Sequence, residues 1–407
     1  MNKELSNFAT RLRELISNRQ SAIGNQQFNA LALELFTLQF ENNFAYQKIC
    51  EARKLTPQIV EHWTQIPFVP TAAFKELELT SLAPDGRAAV FHSSGTTEQK
   101  PSRHFHSAES LALYEASLWA WFEQHVLTDL RFTIYDLRLQ KKSHVAEKSA
   151  IRNPQSAIFL TPPPEQVPHS SLVHMFEVIR RKMGGASVLA SRTEFVGKIS
   201  EDSAWTLNFE AVLGALENRQ SAIGNRQLIL GTAFSFVHLL DFLAEKNLKF
   251  QLPENSRVME TGGYKNRSRS LPKNELHALI EKFLGVPREN IICEYGMSEL
   301  SSQAYANARG AGRWARGKDC ASPPPKASSP EPFYFPPWAR AQIISPETGR
   351  EVADGETGLI RIFDLANVFS IAAIQTEDLG IRRGAHFELI GRAQLAEPRG
   401  CSLMTTL

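Results

Sequence analysis

LILGTAFSFVHLLDFLAEKNLKFQLPENSRVMETGGYKNRSRSLPKNELHALIEKFLGVPRENIICEY, Leu228 to Tyr295, is the stretch from which the fold is read. Three short β-rich runs, LILGT, RVMET and NIICEY, are separated by two longer runs of helical character, VHLLDFLAEK and ELHALIEKFL. Strands alternating with helices predict parallel βα units covered on both faces, an α/β architecture. The pattern extends upstream through AVFHS near 89–93, RFTIYDL from 131, a helix through SLVHMFEVIRRKM, and SVLAS. Downstream, RAQIISP, TGLIRIFDL and AHFELIGR have fewer helices between them, which predicts a smaller β-rich C-terminal subdomain. Near the start, Phe28, Leu31, Leu35 and Leu38 recur at helical spacing, with no proline or glycine between Gly24 and about Lys54. The expected organisation is a helical segment at 1–56, a large α/β domain at 57–385 with a linker at about 308–332, and a tail at 386–407.

At 407 residues the chain suits two or three domains, or one large domain with a satellite. Hydrophobic residues at 43% and charged residues at 22% exclude a disordered, collagenous or coiled-coil chain. Lysine plus arginine, 45, against aspartate plus glutamate, 43, leaves +2, too weak a field to argue for nucleic acid or an acidic membrane surface. Any anion must be caught locally. Cys50, Cys293, Cys320 and Cys401 form no metal-type pair and no disulfide framework, as expected of a reducing cytoplasm. MNKELSNFATRLREL lacks the apolar core of a signal peptide, and no window reaches ~18 uninterrupted apolar residues, so neither export nor a membrane span is expected.

Two stretches stand apart. NRQSAIGN occurs at Asn18 to Asn25 and again at Asn218 to Asn225; with dissimilar flanks, the copies read as inserted surface segments rather than a solenoid repeat. RGAGRWARGK, followed by CASPPPKASSPEP, reads as a solvated loop and proline-rich linker; Trp314 among basic residues could stack on a base, but nothing else supports RNA.

The sharpest chemical signal is FHSSGTTEQKPSRH, Phe91 to His104. Two serines, a glycine and two threonines after a β-like run form either a loop that wraps phosphate oxygens with N–H groups and hydroxyls or an ordinary Ser/Thr-rich turn. Lys100, Arg103 and His104 add donors beside it, while the Walker spacing is missing. His92 and His104 are expected to pack or face solvent. In CEYGMSELSSQAY, Cys293 to Tyr305, Gly296 breaks a buried strand, and Ser298 with Glu299 is expected to open a helix. There Glu299 either suits Mg²⁺ or simply favours the helix start. METGGYKNRSRS places Gly262 and Gly263 after a strand, where a flat ring could lie on bare backbone, with Lys265, Arg267 and Arg269 following. QTEDLG puts Asp378 at an expected loop, to bind ribose hydroxyls or make an Asx-turn. Cys293 lies in an apolar run and reads as a buried small hydrophobe.

Taken in order, SSGTT, TGGYK, EYGMSEL, TEDLG, GRAQ and RGCSL make the chain similar to the acyl-protein synthetase family, the fatty-acid-activating component of bacterial bioluminescence reductase systems, within the adenylate-forming superfamily. The resemblance runs from IPFVPTAAFK at Ile66 through SLVHM, ETGGYKNRSR, EYGMSELSSQAY, FPPWARA and FDLANV to RGCSL. It implies a large adenylate-forming domain, the superfamily's C-terminal lid domain being absent or truncated. It further implies ATP and Mg²⁺ as cofactors, a fatty acid substrate and an acyl reductase partner. The implied reaction forms an acyl-adenylate and then a thioester on the protein. By motif position Ser93, Ser94, Gly95, Thr96 and Thr97, with Lys100 beside them, would hold phosphates. Gly262 and Gly263 would flank the adenine with backbone near Glu294, Tyr295 and Gly296. Ser298 would contact the α-phosphate, Glu299 would hold Mg²⁺, and Asp378 would bind the ribose. Arg392 sits at the superfamily's hinge and ribose or phosphate contact, and Cys401 matches the acylated residue, with Arg399 placed to lower its pKa.

The sequence departs from the family at Glu98, where glycine is usual, and at Ser298, where threonine is commoner. It also lacks the superfamily's C-terminal adenylation lysine; Lys265 or Arg392 is the candidate for that cation. The rival expectations are a phenylacetate-type ligase delivering the acyl group to coenzyme A, and a non-catalytic nucleotide-binding or acyl-carrier scaffold.

Overall fold

The computed structural model describes residues 2–18, 23–93, 100–127, 156–184, 193–201, 204–220, 226–263, 269–306 and 332–393. The chain opens with α1 (Lys3–Ser17), α2 (Asn25–Asn42) and α3 (Phe44–Ala52). In α1 the Asn2 side chain caps the helix by accepting from the Glu4 amide. Leu5, Phe8, Ala9, Leu12 and Ile16 follow at the spacing that puts one stripe into a core. β1 (Val69–Pro70), α4 (Ala73–Glu76), the hairpin β2 (Ala89–His92) and β3 (Arg103–His106), and α5 (Ala108–Phe122) come next.

The βα units then run β4 (Ser156–Phe159), α6 (Ser171–Gly184), β5 (Thr193–Phe195), the hairpin β6 (Gly197–Ile199) and β7 (Trp205–Leu207), α7 (Phe209–Gln220), β8 (Gln227–Thr232), α8 (Ala233–Glu245), β9 (Arg257–Thr261), α9 (Lys273–Leu284) and β10 (Ile291–Tyr295). β11 (Ala304–Ala306) completes a six-stranded sheet of order β11-β10-β9-β8-β4-β5, parallel except where β11 returns antiparallel to β10. A second sheet takes β12 (Ala339–Ile344), β13 (Thr357–Asp364) and β14 (Ala373–Arg383) antiparallel in order, with β1 and β15 (His386–Arg392) both pairing β14.

The expected α/β reading is thus met, and its cause is visible in β8. Leu228 and Leu230 point to one buried cluster and Ile229 to another, so the strand is apolar on both faces. One cluster lies under α7, α8 and α9, with Ile158, Ile229, Val258 and Ile291 from the sheet. The other joins Leu228, Leu230, Met259 and Ile292 to the N-terminal helices, α5, α6 and the second sheet. Edge-to-face contacts of Phe363 with Phe28, Trp63 and Phe68 pin α2 against β13.

The first NRQSAIGN copy differs from a purely surface segment. Its Ile23 is buried in the core, and the Ile23 carbonyl accepts from Arg340 at 3.0 Å. The second copy begins inside α7, whereas Asn18 of the first follows the end of α1; residues 19–22 and 221–225 lie outside the described residues. Among the described residues no helix is long and apolar enough to cross a membrane.

Candidate active site

The site forms where the C-terminal ends of β9 and β10 meet β14 of the second sheet, the end at which open α/β sheets take ligands. Tyr295, the last residue of β10, donates its hydroxyl to Asp378 Oδ2 at 2.8 Å. Asp378 is half-buried and lies within β14, not in the expected loop. A shift in register against β15 at Leu379 and Gly380 leaves it paired with Arg392, and the late-coming β15 is what makes this segment a strand. The exposed Arg392 guanidinium approaches Asp378 to 3.9 Å. Burial raises the Asp378 carboxyl, opposed by the Tyr295 hydrogen bond and by Arg392.

Glu299 is buried in a nest of hydroxyls. Ser102 donates to its Oε1 at 2.5 Å and Ser298 to its Oε2 at 3.0 Å. Ser102 also binds Ser93: its amide donates to Ser93 Oγ at 3.0 Å, and its carbonyl accepts from the Ser93 amide at 3.3 Å. The β2–β3 hairpin therefore places Ser102 against Glu299 and Ser93 against Ser102. Burial drives the His104 imidazole down to about 4, so it is neutral at pH 7 and donates Nδ1–H to the Ser298 carbonyl at 2.8 Å.

The expected helix at Ser298 does not form. The chain turns at Ser298 and Glu299 and runs into β11. Remote acceptors and donors satisfy the backbone that a helix would have paired internally. Asp364 Oδ2 accepts from the amides of Ser301 and Ser302 at 3.0 and 2.8 Å, and Oδ1 from Ser302 Oγ at 2.7 Å and the Ala366 amide at 3.0 Å. Asn367 donates to the Glu299 carbonyl at 2.8 Å. Burial pushes the Asp364 carboxyl up to about 6 against these four donors.

At the end of β9, Gly262 takes φ +67°, which turns the chain away from the sheet in a conformation that favours glycine. A side chain added at Gly262 or Gly263 would meet nothing within 4 Å, so bare backbone faces open space. Beside it the Thr261 hydroxyl donates to Glu294, whose carboxyl burial pushes up to about 7. At Gly296, a Cβ would stand 2.4 Å from Glu294 Oε1, so a larger residue there would require the Glu294 carboxylate to move.

The structure thus brings Ser93, Tyr295, Ser298, Glu299, Asp378 and Arg392 to one region, with Glu294, Gly296, Gly262 and Gly263 at the adjoining strand ends. Lys100 is exposed and pairs with Glu76 at 3.7 Å. Ser94, Gly95, Thr96, Thr97, Lys265 and Cys401 lie outside the described residues. Cys293 and Cys50 are buried, as expected of structural cysteines, and burial raises both thiols, Cys50 to about 12. Sequence reasoning missed Ser102, Thr261, Asp364 and Asn367. Ser102 stood within the quoted phosphate-loop stretch and Asp364 and Asn367 within FDLANV, but no local spacing links any of them to Glu299. A carboxylate framed by two hydroxyls is an all-oxygen set that fits Mg²⁺, and the open glycine backbone fits a flat base.

No family model matches the chain. Two curated proteins align with it, both named long-chain-fatty-acid–luciferin-component ligase. The one from Aliivibrio fischeri is 25% identical over 187 residues, 43% of this chain and 44% of that protein, so the alignment spans less than half of that relative. The one from Vibrio harveyi is 22% identical over 377 residues, 90% of this chain and 84% of that protein. Among solved structures, 2-hydroxyisobutyryl-CoA ligase in an open conformation with 2-HIB-AMP and CoA superposes with a TM-score of 0.58 at 10% identity, over 90% of this chain and 69% of that one. Its postadenylation state with 2-HIB-AMP gives 0.58 over 67% of that chain. The chain is thus similar in sequence to two long-chain-fatty-acid–luciferin-component ligases and shares the α/β fold of 2-hydroxyisobutyryl-CoA ligase.

Proposed function

We propose that this protein activates a long-chain fatty acid with ATP and carries the acyl group as a thioester on Cys401 for delivery to an acyl reductase. The observation that carries the reading is the meeting of Ser298, Glu299 and Ser102 with the Tyr295–Asp378 pair at one sheet end. The names of the two curated relatives support the fatty acid as substrate.

In this reading a fatty carboxylate oxygen attacks the α-phosphorus of ATP, and the bond to pyrophosphate breaks. The Cys401 thiolate then attacks the acyl carbonyl, and AMP leaves with the electrons of the acyl–oxygen bond. Ser93, Ser94, Gly95, Thr96 and Thr97 hold phosphate oxygens through N–H and O–H donors, with Lys100 near the loop. Ser298 donates to the α-phosphate, and Ser102 shares the orientation of Glu299. Glu299 would hold Mg²⁺, which supplies positive charge to the spreading phosphate charge. Asp378, fixed by Tyr295, accepts from the ribose hydroxyls. Gly262 and Gly263 leave the adenine face clear, bounded by the β10 end at Glu294, Tyr295 and Gly296. Lys265 or Arg392 supplies the remaining cation. In this reading residues 57–385 are the adenylating body, and the tail at 386–407 carries the acylated Cys401.

The test is incubation with labelled fatty acids of several lengths and MgATP, then hydroxylamine. The expected result is hydroxylamine-labile label on the wild type and none on Cys401→Ser, with pyrophosphate release retained in the first turnover of the variant. Label appearing on added coenzyme A with the protein unlabelled would assign the phenylacetate-type ligase instead. ATP binding without pyrophosphate release would assign a non-catalytic scaffold.

A further inference from the structure

Outside that site, three chemically unlike side chains converge in the interior. Glu260 of β9 and Cys293 of β10 are direct partners on neighbouring parallel strands, so their side chains leave the same face of the sheet. His277 of α9, the helix that connects those strands, comes down onto that face. All three are buried. Glu260 Oε1 lies 3.5 Å from His277 Nε2, and Cys293 Sγ lies 3.9 Å from the same nitrogen. The three donor atoms all lie within 4.8 Å of one another.

The arrangement is wrong for a catalytic triad. There the acid and the nucleophile engage opposite ring nitrogens, so that the acid orients the base. Here both crowd Nε2, while Nδ1 is buried with no hydrogen-bond partner among the described residues. Three potential donors gathered within 4.8 Å of one another is instead a grouping that can hold a cation. For tetrahedral zinc, with Zn–S near 2.3 Å and Zn–N and Zn–O near 2.0–2.2 Å, the edges between ligand atoms are about 3.3–3.6 Å. The observed 3.5 and 3.9 Å lie within a few tenths of an ångström of those edges, and the third edge, from Glu260 to Cys293, is no longer than 4.8 Å. The donor set also differs in kind from that of Glu299. Thiolate plus imidazole plus carboxylate selects a borderline-soft ion, whereas hydroxyls with a carboxylate select Mg²⁺.

We propose that Glu260, His277 and Cys293 form a binding site for a thiophilic divalent cation of the zinc class, with one coordination position left for a further ligand. Lys273, in the first turn of α9, interacts electrostatically with Glu260 and Cys293 and is the positive group such an ion displaces. The ion would staple β9, β10 and α9 together just below the strand ends that carry Gly262 and Tyr295. It needs no nucleotide, so its test stands apart from that of acyl activation.

The full-length protein is stripped with chelator, shown by circular dichroism to remain folded, and titrated with Co²⁺ without nucleotide. The expected result is uptake of about one equivalent with a sulfur-to-cobalt charge-transfer band, displaced by Zn²⁺. Cys293→Ser should lose the band, and His277→Gln should weaken Co²⁺ binding at least ~10-fold. Should either variant fail to fold, Glu260→Gln and the wild-type titration decide the matter. Folded wild type that takes up no Co²⁺, or a band undiminished in every folded variant, overturns the proposal.

Discussion

Glu294 shows how one residue's surroundings become a measurable property. Its carboxyl is buried, with the Thr261 hydroxyl as partner and Glu260 nearby, and burial pushes it up to about 7. The ordinary glutamate value is about 4.3, so between those limits the native state holds a proton that the unfolded chain has released. This contribution to stability is fully present below about 4.3 and is lost as pH rises through about 7. Urea unfolding from pH 4.5 to 7.5 should therefore show the wild type losing on the order of 3 kcal/mol relative to Glu294→Gln, which keeps an acceptor for Thr261 but cannot ionise. Parallel wild-type and variant profiles would contradict the assignment.

At the scale of elements, the turn at Ser298–Ser302 closes on one backbone bond of its own, from the Leu300 amide to the Met297 carbonyl at 3.1 Å, and its later amides depend on remote groups. Asp364 and Asn367, at the end of β13 and in the following loop, hold it. That loop is held in turn by Gln39 of α2, whose side chain donates to the Asn367 carbonyl at 2.7 Å and accepts from the Ala372 amide at 3.1 Å. The N-terminal helices thus reach Glu299 through two layers of buried hydrogen bonds. Asp364→Asn turns an acceptor-only group into one that presents N–H donors to other donors. It should cost about 2–4 kcal/mol in thermal or urea unfolding. If the proposed acyl activation holds, pyrophosphate release should fall with it, because Glu299 loses its orientation even at temperatures where the variant is folded. A folded variant with full activity would show that the turn supports itself.

For the whole molecule, the candidate site is a joint between sheets. β10 ends the parallel sheet, β14 belongs to the antiparallel one, and the Tyr295–Asp378 hydrogen bond crosses between them. Phe333, Phe335 and Phe387 pack around Tyr295. A double-mutant cycle of Tyr295→Phe and Asp378→Asn should return a coupling of about 1–2 kcal/mol in urea unfolding. Additive effects would show that the two groups do not interact.

The sequence by itself determined the βα alternation, the two-faced burial of LILGT and the order of the chemical motifs, because side-chain periodicity and strand or helix length are local properties. It grouped Tyr295, Ser298, Glu299 and Asp378 only through motif resemblance. The tertiary structure alone decided that Glu299 sits on a turn rather than a helix, because the groups that satisfy that turn stand 62 to 68 residues along the chain. It alone made Asp378 part of a strand, because β15 is a later partner. And it alone turned Cys293 from a small hydrophobe into a neighbour of Glu260 and His277, since strand register and helix placement, not spacing, bring those three side chains together.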